Sequence, residues 1–372
     1  MKKILIFILP IILLSCAHSP KKSVSPLHVA GSSNRISIVG FGDNLIHIEI
    51  LEDAKETGGF YFDKYYENVK KIIEKADIAF LNQETLVAGK DYGYSGYPAF
   101  NGPPELVDTI NRLGFDVVNH ATNHTMDKGE AALFADMENW NKYPDIKVLG
   151  IHKTQEDRDT KKTIITKNNI KVGFLSYTYG LNGNKLPSDK PYLVSLIDKK
   201  VMAKEIDELR PLCDLLVVSM HWGNEYEIVP SKTQEDLALF LSMHKVDLVI
   251  GHHPHVLQPA RFIERDDGGV MLVFFSLGNF LSSQKENARL LGGMMNVTVK
   301  KEKDNSIKFE NAELLPLVTH YDSSYKNFKI YPLLFYTKEI AKEHRRYEAE
   351  GINIFDFFVD LSRKILGFGV QR

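Results

Sequence analysis

The chain has 372 residues, 44% of them hydrophobic and 25% charged, with 46 basic and 48 acidic side chains for a formal charge of -2. This is the composition of an ordinary globular protein, which excludes wholesale disorder, collagen-like repeats and a multi-span membrane protein, and leaves no basic field to attract nucleic acid. Cys16 and Cys213 are the only cysteines, too few for a disulfide framework.

In chain order, Met1-Lys2-Lys3 precedes an apolar run from Ile4 to Leu14, the pattern of a secretory signal too short to remain as a membrane span. It closes on Leu13-Leu14-Ser15-Cys16, which resembles a bacterial lipobox. Residues 1–16 are therefore expected to be a lipoprotein signal. Acylated Cys16 would anchor the chain, each buried methylene adding about 0.8 kcal/mol. Residues 17–34 lack apolar periodicity and are rich in Ser, Pro, Lys and His, which predicts a flexible tether.

From residue 35 short apolar runs alternate with amphipathic ones. Strands are predicted at Ile36 to Val39, Asp77 to Leu81, Phe115 to Val118, Val172 to Tyr177, Asp214 to Met220 and Val246 to Ile250. Helices are predicted from Tyr65 to Glu74, Pro103 to Leu113, Lys128 to Asn141, Asp198 to Leu209 and Ser231 to His244, the last opened by a capping box. Val270 to Phe275 and Met294 to Val299 follow as strands, and Ile307 to Leu315 is expected to pair with the latter across Asp304-Asn305. This alternation predicts an α/β fold with parallel strands and an antiparallel section, over residues 35–315. Residues 316–372 are predicted to be a C-terminal helical extension packed on that domain, with helical spacing from Thr337 to Glu348 and from Ile354 to Leu366.

Unusual polar residues fall just past the predicted strands. They are Asp43 and His47, then Glu84, then Asn123, His124 and Asp127, then His221 and Glu225, then His252, His253 and His255. Ligands of open α/β sheets bind beyond the carboxyl ends of strands, so these residues can reach one crevice. Imidazoles with carboxylates suit a divalent metal such as Mn, Fe or Zn, and no thiolate is offered. A central carboxylate such as Glu84 can bridge two ions, and His124 could protonate a leaving oxygen. Each segment alone has a plainer reading. Asp43 could sit in a turn, Asp127 could start the helix at Lys128 through the dipole, and Glu225 and Asn279 could be loop residues. Three imidazoles within Gly251-His252-His253-Pro254-His255 are the hardest to read that way.

Taken in order, Gly42-Asp43…His47, Asn82-Gln83-Glu84-Thr85, Asn123-His124…Asp127-Lys128-Gly129, His221-Trp222-Gly223…Glu225, Gly251-His252-His253-Pro254-His255 and Ser276-Leu277-Gly278-Asn279-Phe280 resemble the CapA family of poly-γ-glutamate capsule synthesis proteins. That family is similar in turn to the calcineurin-like metallophosphoesterases. The resemblance implies their four-layer αββα sandwich with mixed sheets. It implies two metals, one held by Asp43, His47, Glu84 and His255 and the other by Glu84, Asn123, His221 and His253, with His124 as general acid. Asp127, His252, Glu225 and Asn279 would support the site or touch substrate. The pattern departs from the phosphoesterase one: Asp43 and His47 stand four apart rather than two, and Glu84 replaces an aspartate. The expectation is a lipid-anchored, extracytoplasmic protein of the bacterial cell envelope in capsule or envelope polymer biosynthesis. Its site would hydrolyse a phosphoester or another ester or amide bond. Its partners would be the envelope polymer or a phosphoester substrate, and a polymer synthase or export complex. The alternative is an accessory factor that binds an anionic polymer without chemistry.

Overall fold

The computed structural model describes residues 34–347 and 351–367. Cys16, the expected signal segment and the tether up to residue 33 lie outside the described residues. Among the described residues no helix is long and apolar enough to cross a membrane.

The chain enters through β1 (Arg35–Asn44) and a short α1 (Ile48–Ala54), followed by a two-stranded ribbon of β2 (Lys55–Glu56) and β3 (Gly59–Phe60). Next come α2 (Glu67–Lys75), β4 (Ile78–Gln83), α3 (Glu105–Leu113), β5 (Val117–Asn119), α4 (Gly129–Trp140) and β6 (Lys147–Leu149). A second series follows: α5 (Gln155–Thr160), β7 (Thr163–Lys167), β8 (Ile170–Thr178), α6 (Lys199–Leu209), β9 (Leu215–His221), α7 (Lys232–Met243), β10 (Leu248–His252), β11 (Ala260–Glu264) and β12 (Val270–Phe274). The chain returns to the first sheet through β13 (Asn279–Leu281), β14 (Leu291–Lys301), β15 (Ile307–His320) and β16 (Lys329–Pro332), and ends in α8 (Lys338–Lys342) and α9 (Ile354–Leu366).

Local chemistry sets these boundaries. Gly114 takes the left-handed conformation that closes α3, its N–H bonding back to Asn111 and Ile110. Asp198 caps α6 by accepting from the backbone N–H groups of Lys200 and Val201. Ser231 and Gln234 form the reciprocal capping box of α7.

The first sheet runs β16-β15-β14-β1-β4-β5-β6, with β13 also paired to β1, and the second runs β11-β12-β10-β9-β8-β7. Both are mixed. β1, β4, β5 and β6 are mutually parallel, as are β8, β9, β10 and β12, while β14 to β16, β7 and β11 pair antiparallel. The parallel centre needs helices on its outer face, because each crossover must return across the sheet.

Three apolar layers result. Ile38, Phe80 and Val117 of the first sheet meet Val172, Val217, Ile250 and Phe274 of the second to form the inter-sheet core. The other face of the first sheet, with Val39, Leu81 and Val118, is covered by Val69 and Ile73 of α2 and Leu106, Ile110 and Leu113 of α3. The other face of the second sheet, with Val218 and Val249, is covered by Met202 and Ile206 of α6 and Ala238 and Leu241 of α7. The order is helix, sheet, sheet, helix: the four-layer sandwich with mixed sheets that the resemblance implied.

Two expectations change. A domain boundary after Leu315 falls inside β15, which continues to His320, and β16 adds a further strand to the same sheet. Helical spacing from Thr337 to Glu348 yields only α8, because the Arg345 N–H turns aside to the carbonyl of Tyr321. The helix expected from Ile354 to Leu366 is α9, whose Ile354 and Phe358 pack on the outer face of the first sheet. Cys213 is half-buried, its Sγ 3.5 Å from the carbonyl of Leu209.

Candidate functional site

The ends of parallel strands deliver the polar residues to one place. β1 ends at Asp43 and Asn44, β4 runs into Glu84, β9 ends at His221 and β10 at His252. Two glycines make the approach close enough. A Cβ on Gly42 would lie 1.9 Å from the carbonyl oxygen of Gly278, and one on Gly251 would lie 2.0 Å from that of Phe275. Only glycine lets β1 meet the Gly278-Asn279 turn there, and only glycine lets β10 pass residue 275. Past β10, His253 and His255 adopt φ of +97° and +58°, a left-handed backbone uncommon outside glycine. Such strain persists where surrounding structure holds it, and here it places both imidazoles inward.

Glu84 lies at the centre. It is fully buried, and neither carboxylate oxygen has a hydrogen-bond partner. Its Oε1 is 3.7 Å from His221 Nε2, 3.9 Å from His124 Nε2 and 3.9 Å from His255 Nε2. Burial first, then the nearby Asp43, Glu225 and Asp127 carboxylates, push its pKa well above the usual range against the pull of His255. An orphaned buried carboxylate ringed by imidazoles is costly in a protein interior and is the donor set a divalent cation satisfies. His221 and His253 are held well below the ordinary histidine pKa, His253 at about 3, chiefly by burial and then by neighbouring imidazoles. Neutral imidazole is the form that ligates metal. His221 Nδ1 and His253 Nδ1 are buried without partners.

Asp43 is placed differently. Both its oxygens are engaged: Asn82 Nδ2 donates to Oδ1 at 2.8 Å, and His255 Nδ1 donates to Oδ2 at 3.0 Å. Burial opposes ionisation of Asp43, but the hydrogen bond and charge of His255 hold its pKa below the usual range. The same pair raises His255 to about 9, against burial, through the carboxylates of Glu84 and Asp43. His255 Nδ1 is also 3.1 Å from Asn279 Oδ1, so its ring is fixed with Nε2 aimed at Glu84. Asn82 accepts in turn from Asn119 Nδ2 at 2.5 Å, and Asn119 accepts from the hydroxyl of Ser176 on the second sheet. This buried polar chain joins the two sheets beneath the site.

Donor atoms of Asp43, Glu84 and His255 lie within 4.8 Å of one another, as do those of Glu84, His221 and His253, and those of Glu225, His253 and His255. Asn123 joins the second trio, its Oδ1 2.8 Å from His221 Nε2. His124 Nδ1 donates to Asp127 Oδ2 at 2.7 Å. Asp127 does not cap α4, whose N-cap is Lys128; its carboxylate instead holds His124 and the Phe100 N–H.

His47 and His252 also belong to none of the three trios. His47 donates from Nδ1 to the Leu45 carbonyl at 3.0 Å and lies edge-on to Phe100, whose ring also meets His124 edge-on. That tautomer leaves Nε2 unprotonated. His252 lies 3.7 Å from Asp43 and stacks on Phe80, with neither nitrogen bonded.

Sequence reading missed the pieces carried by loops. Asn182 accepts from Asn123 Nδ2 at 3.1 Å, and its own Nδ2 lies 3.5 Å from His124 Nε2. Exposed Tyr179 sits over the His253 ring at 4.5 Å, and exposed Tyr226 faces His255 at 6.1 Å. No local signal marks them, since each acts only through a contact far away in sequence.

A buried cluster of imidazoles and carboxylates between two sheets of an αββα sandwich defines the class: a protein of metallophosphoesterase-like fold with a donor set that suits divalent cations. The chain belongs to the family described as bacterial capsule synthesis protein PGA_cap, whose model matches residues 37–284. It is 31% identical over 267 residues to the PGA biosynthesis protein CapA of Bacillus subtilis (strain 168), covering 71% of this chain and 67% of that protein. It is 31% identical over 185 residues to the capsule biosynthesis protein CapA of Bacillus anthracis, covering 48% of this chain and 43% of that one. Among solved structures it is similar to the NAD nucleotidase of Haemophilus influenzae, with a TM-score of 0.47 and 12% identity over 89% of this chain and 67% of the other.

Proposed function

We propose that this protein acts at the bacterial cell envelope in poly-γ-glutamate capsule or envelope polymer biosynthesis, and that its site carries out metal-assisted hydrolysis. The observation that carries the reading is Glu84, buried, with both oxygens unpartnered and three imidazole nitrogens within 4 Å. Asp43, His47, Glu84 and His255 would hold one divalent ion, and Glu84, Asn123, His221 and His253 a second. Mn, Fe and Zn all suit this set. Ions bound there supply Lewis acidity and a water acidic enough to ionise near neutral pH. The chain's own residues do the rest. His255 is oriented by Asp43, His221 by Asn123, and His124, fixed by Asp127, presents Nε2 to a leaving oxygen. The substrate class is a phosphoester or another hydrolysable bond of the envelope polymer. Acyl chains on Cys16 would keep the site at the membrane, beside a polymer synthase or exporter.

Elemental mass spectrometry on the full-length chain, beside Glu84→Ala, tests the centre. The expected result is about two equivalents of metal in the parent and a loss in the variant. No metal in either, after reconstitution with Mn, Fe and Zn in turn, sinks the hydrolase reading. A non-catalytic anionic-polymer-binding role would then be the better account.

A further inference from the structure

Two of the three donor trios share Glu84 and form the centre described above. The third, Glu225 with His253 and His255, takes one imidazole from each of the other two. Glu225 therefore lies within reach of the two imidazoles, His253 and His255, that Glu84 also reaches. It also differs from the other donors of the trios in exposure. Asp43, Glu84, His221, His253 and His255 are all buried, while Glu225 is exposed. Its loop begins at Gly223, with φ +88°, and the N–H of Tyr226 bonds to the carbonyl of Pro254 at 2.8 Å. The backbone next to Glu225 is thus tied to the segment that carries His253 and His255, while Glu225 itself is exposed. His253 is buried, 3% exposed, and its Nδ1 is buried without a partner.

We propose that Glu225 is a displaceable ligand, which completes the outer side of the metal centre at rest and yields its place to an anionic oxygen of the substrate. This rests on the metal-binding reading above. The physical reason is competition at one position. A carboxylate and a substrate oxyanion both seek the open side of the same cations, and they repel one another. A buried carboxylate such as Glu84 cannot leave without vacating a packed interior, whereas an exposed one exchanges for water at small cost. The substrate that profits is one with an anionic oxygen at the scissile group, as in a phosphoester.

Calorimetric titration tests this on the full-length parent, Glu225→Gln and Glu225→Ala. Mn2+ is titrated against a competing chelator, and inorganic phosphate is then titrated into the Mn-loaded proteins. The expected result is Mn2+ affinity about 10-fold weaker in both variants. Phosphate should bind the loaded variants several-fold tighter than the parent, because no carboxylate has to leave. Equal Mn2+ affinity in parent and variants overturns the proposal. Weaker Mn2+ with unchanged phosphate affinity also overturns it, since Glu225 would then be a fixed ligand. A parent that takes up no divalent ion overturns both this proposal and the reading on which it rests.

Discussion

Asp127 touches no member of the three donor trios, yet it fixes the one imidazole assigned a proton-transfer role. Its Oδ2 receives His124 Nδ1–H at 2.7 Å and the backbone N–H of Phe100 at 2.7 Å. With Nδ1 committed, the proton that His124 gives to a leaving group must come from Nε2. Asp127→Asn keeps the shape but offers either an amide donor or a weaker acceptor. The expected outcome is turnover of a chromogenic phosphoester reduced by about 10- to 100-fold with the metal content of the parent. Metal loss in this variant, or unchanged turnover, would remove Asp127 from the mechanism. Glu84 makes the contrasting case, since its worth lies in having no protein partner.

At the scale of elements, the histidines outside the site set a pH dependence. His344 follows α8 and is satisfied as a neutral ring: Nε2–H donates to the Thr319 carbonyl at 3.2 Å, and Nδ1 accepts from the Arg346 N–H at 2.9 Å. His320, near the end of β15, packs edge-on against it at 5.2 Å. Burial, then mutual repulsion, pushes His344 down to about 3, and burial pushes His320 down to about 4. Both stay neutral in the fold but titrate near 6.5 when unfolded. The unfolded state therefore binds more protons in this window. The stability they contribute is complete above pH about 6.5 and is lost as pH falls toward 4, at up to about 1.4 kcal/mol per pH unit for each ring. His47, His221, His252 and His253 of the site share this direction and His255 runs against it, so the comparison needs a variant. Denaturant midpoints at pH 7 and pH 5 should fall further in the parent than in His344→Gln, and equal falls would refute the assignment.

Elements also show what the sequence made legible. The capping box at Ser231 and the apolar runs ending in Asp43, Glu84, His221 and His252 read correctly because strand, cap and polar end are local patterns. β13, three residues from Asn279 to Leu281, exists only because Asp43 and Asn44 of β1 pair with it. Three-residue β6 similarly exists through its pairing with β5. Neither carries a period of its own. The reach of Glu225 to His253 and His255, and of Asn182 to His124, depends on loop paths that no spacing encodes.

At the scale of the whole molecule, no helix among the described residues is long and apolar enough to cross a membrane, and the proposed anchor is an acylated Cys16. Cys16→Ser should move the protein from the membrane to the soluble fraction on cell fractionation. Retention in the membrane fraction would refute the lipid anchor. The family match covers residues 37–284, while beyond that range β14 to β16 complete the first sheet and α9 packs on its outer face.

The donors of the two metal positions are divided between the sheets. Asp43, His47, Glu84 and Asn123 lie at or just past the ends of strands of the first, and His221, His253 and His255 at or just past the ends of strands of the second. An ion held by both sets is therefore a further cross-link between layers also joined by apolar contact, by the Ser176-Asn119-Asn82 chain and by the His255–Asp43 and His221–Asn123 hydrogen bonds. Mass action then couples loading to folding: free ion at about 100 times its dissociation constant adds about 2.7 kcal/mol to the folded state for each site. Loaded protein should melt several degrees above chelated protein, and chelation should open the seam between the sheets to proteases first. Identical melting curves with and without chelator would mean that the two layers hold together without the ion's help. A higher melting point for the loaded protein would make metal supply in the cell a determinant of this protein's lifetime.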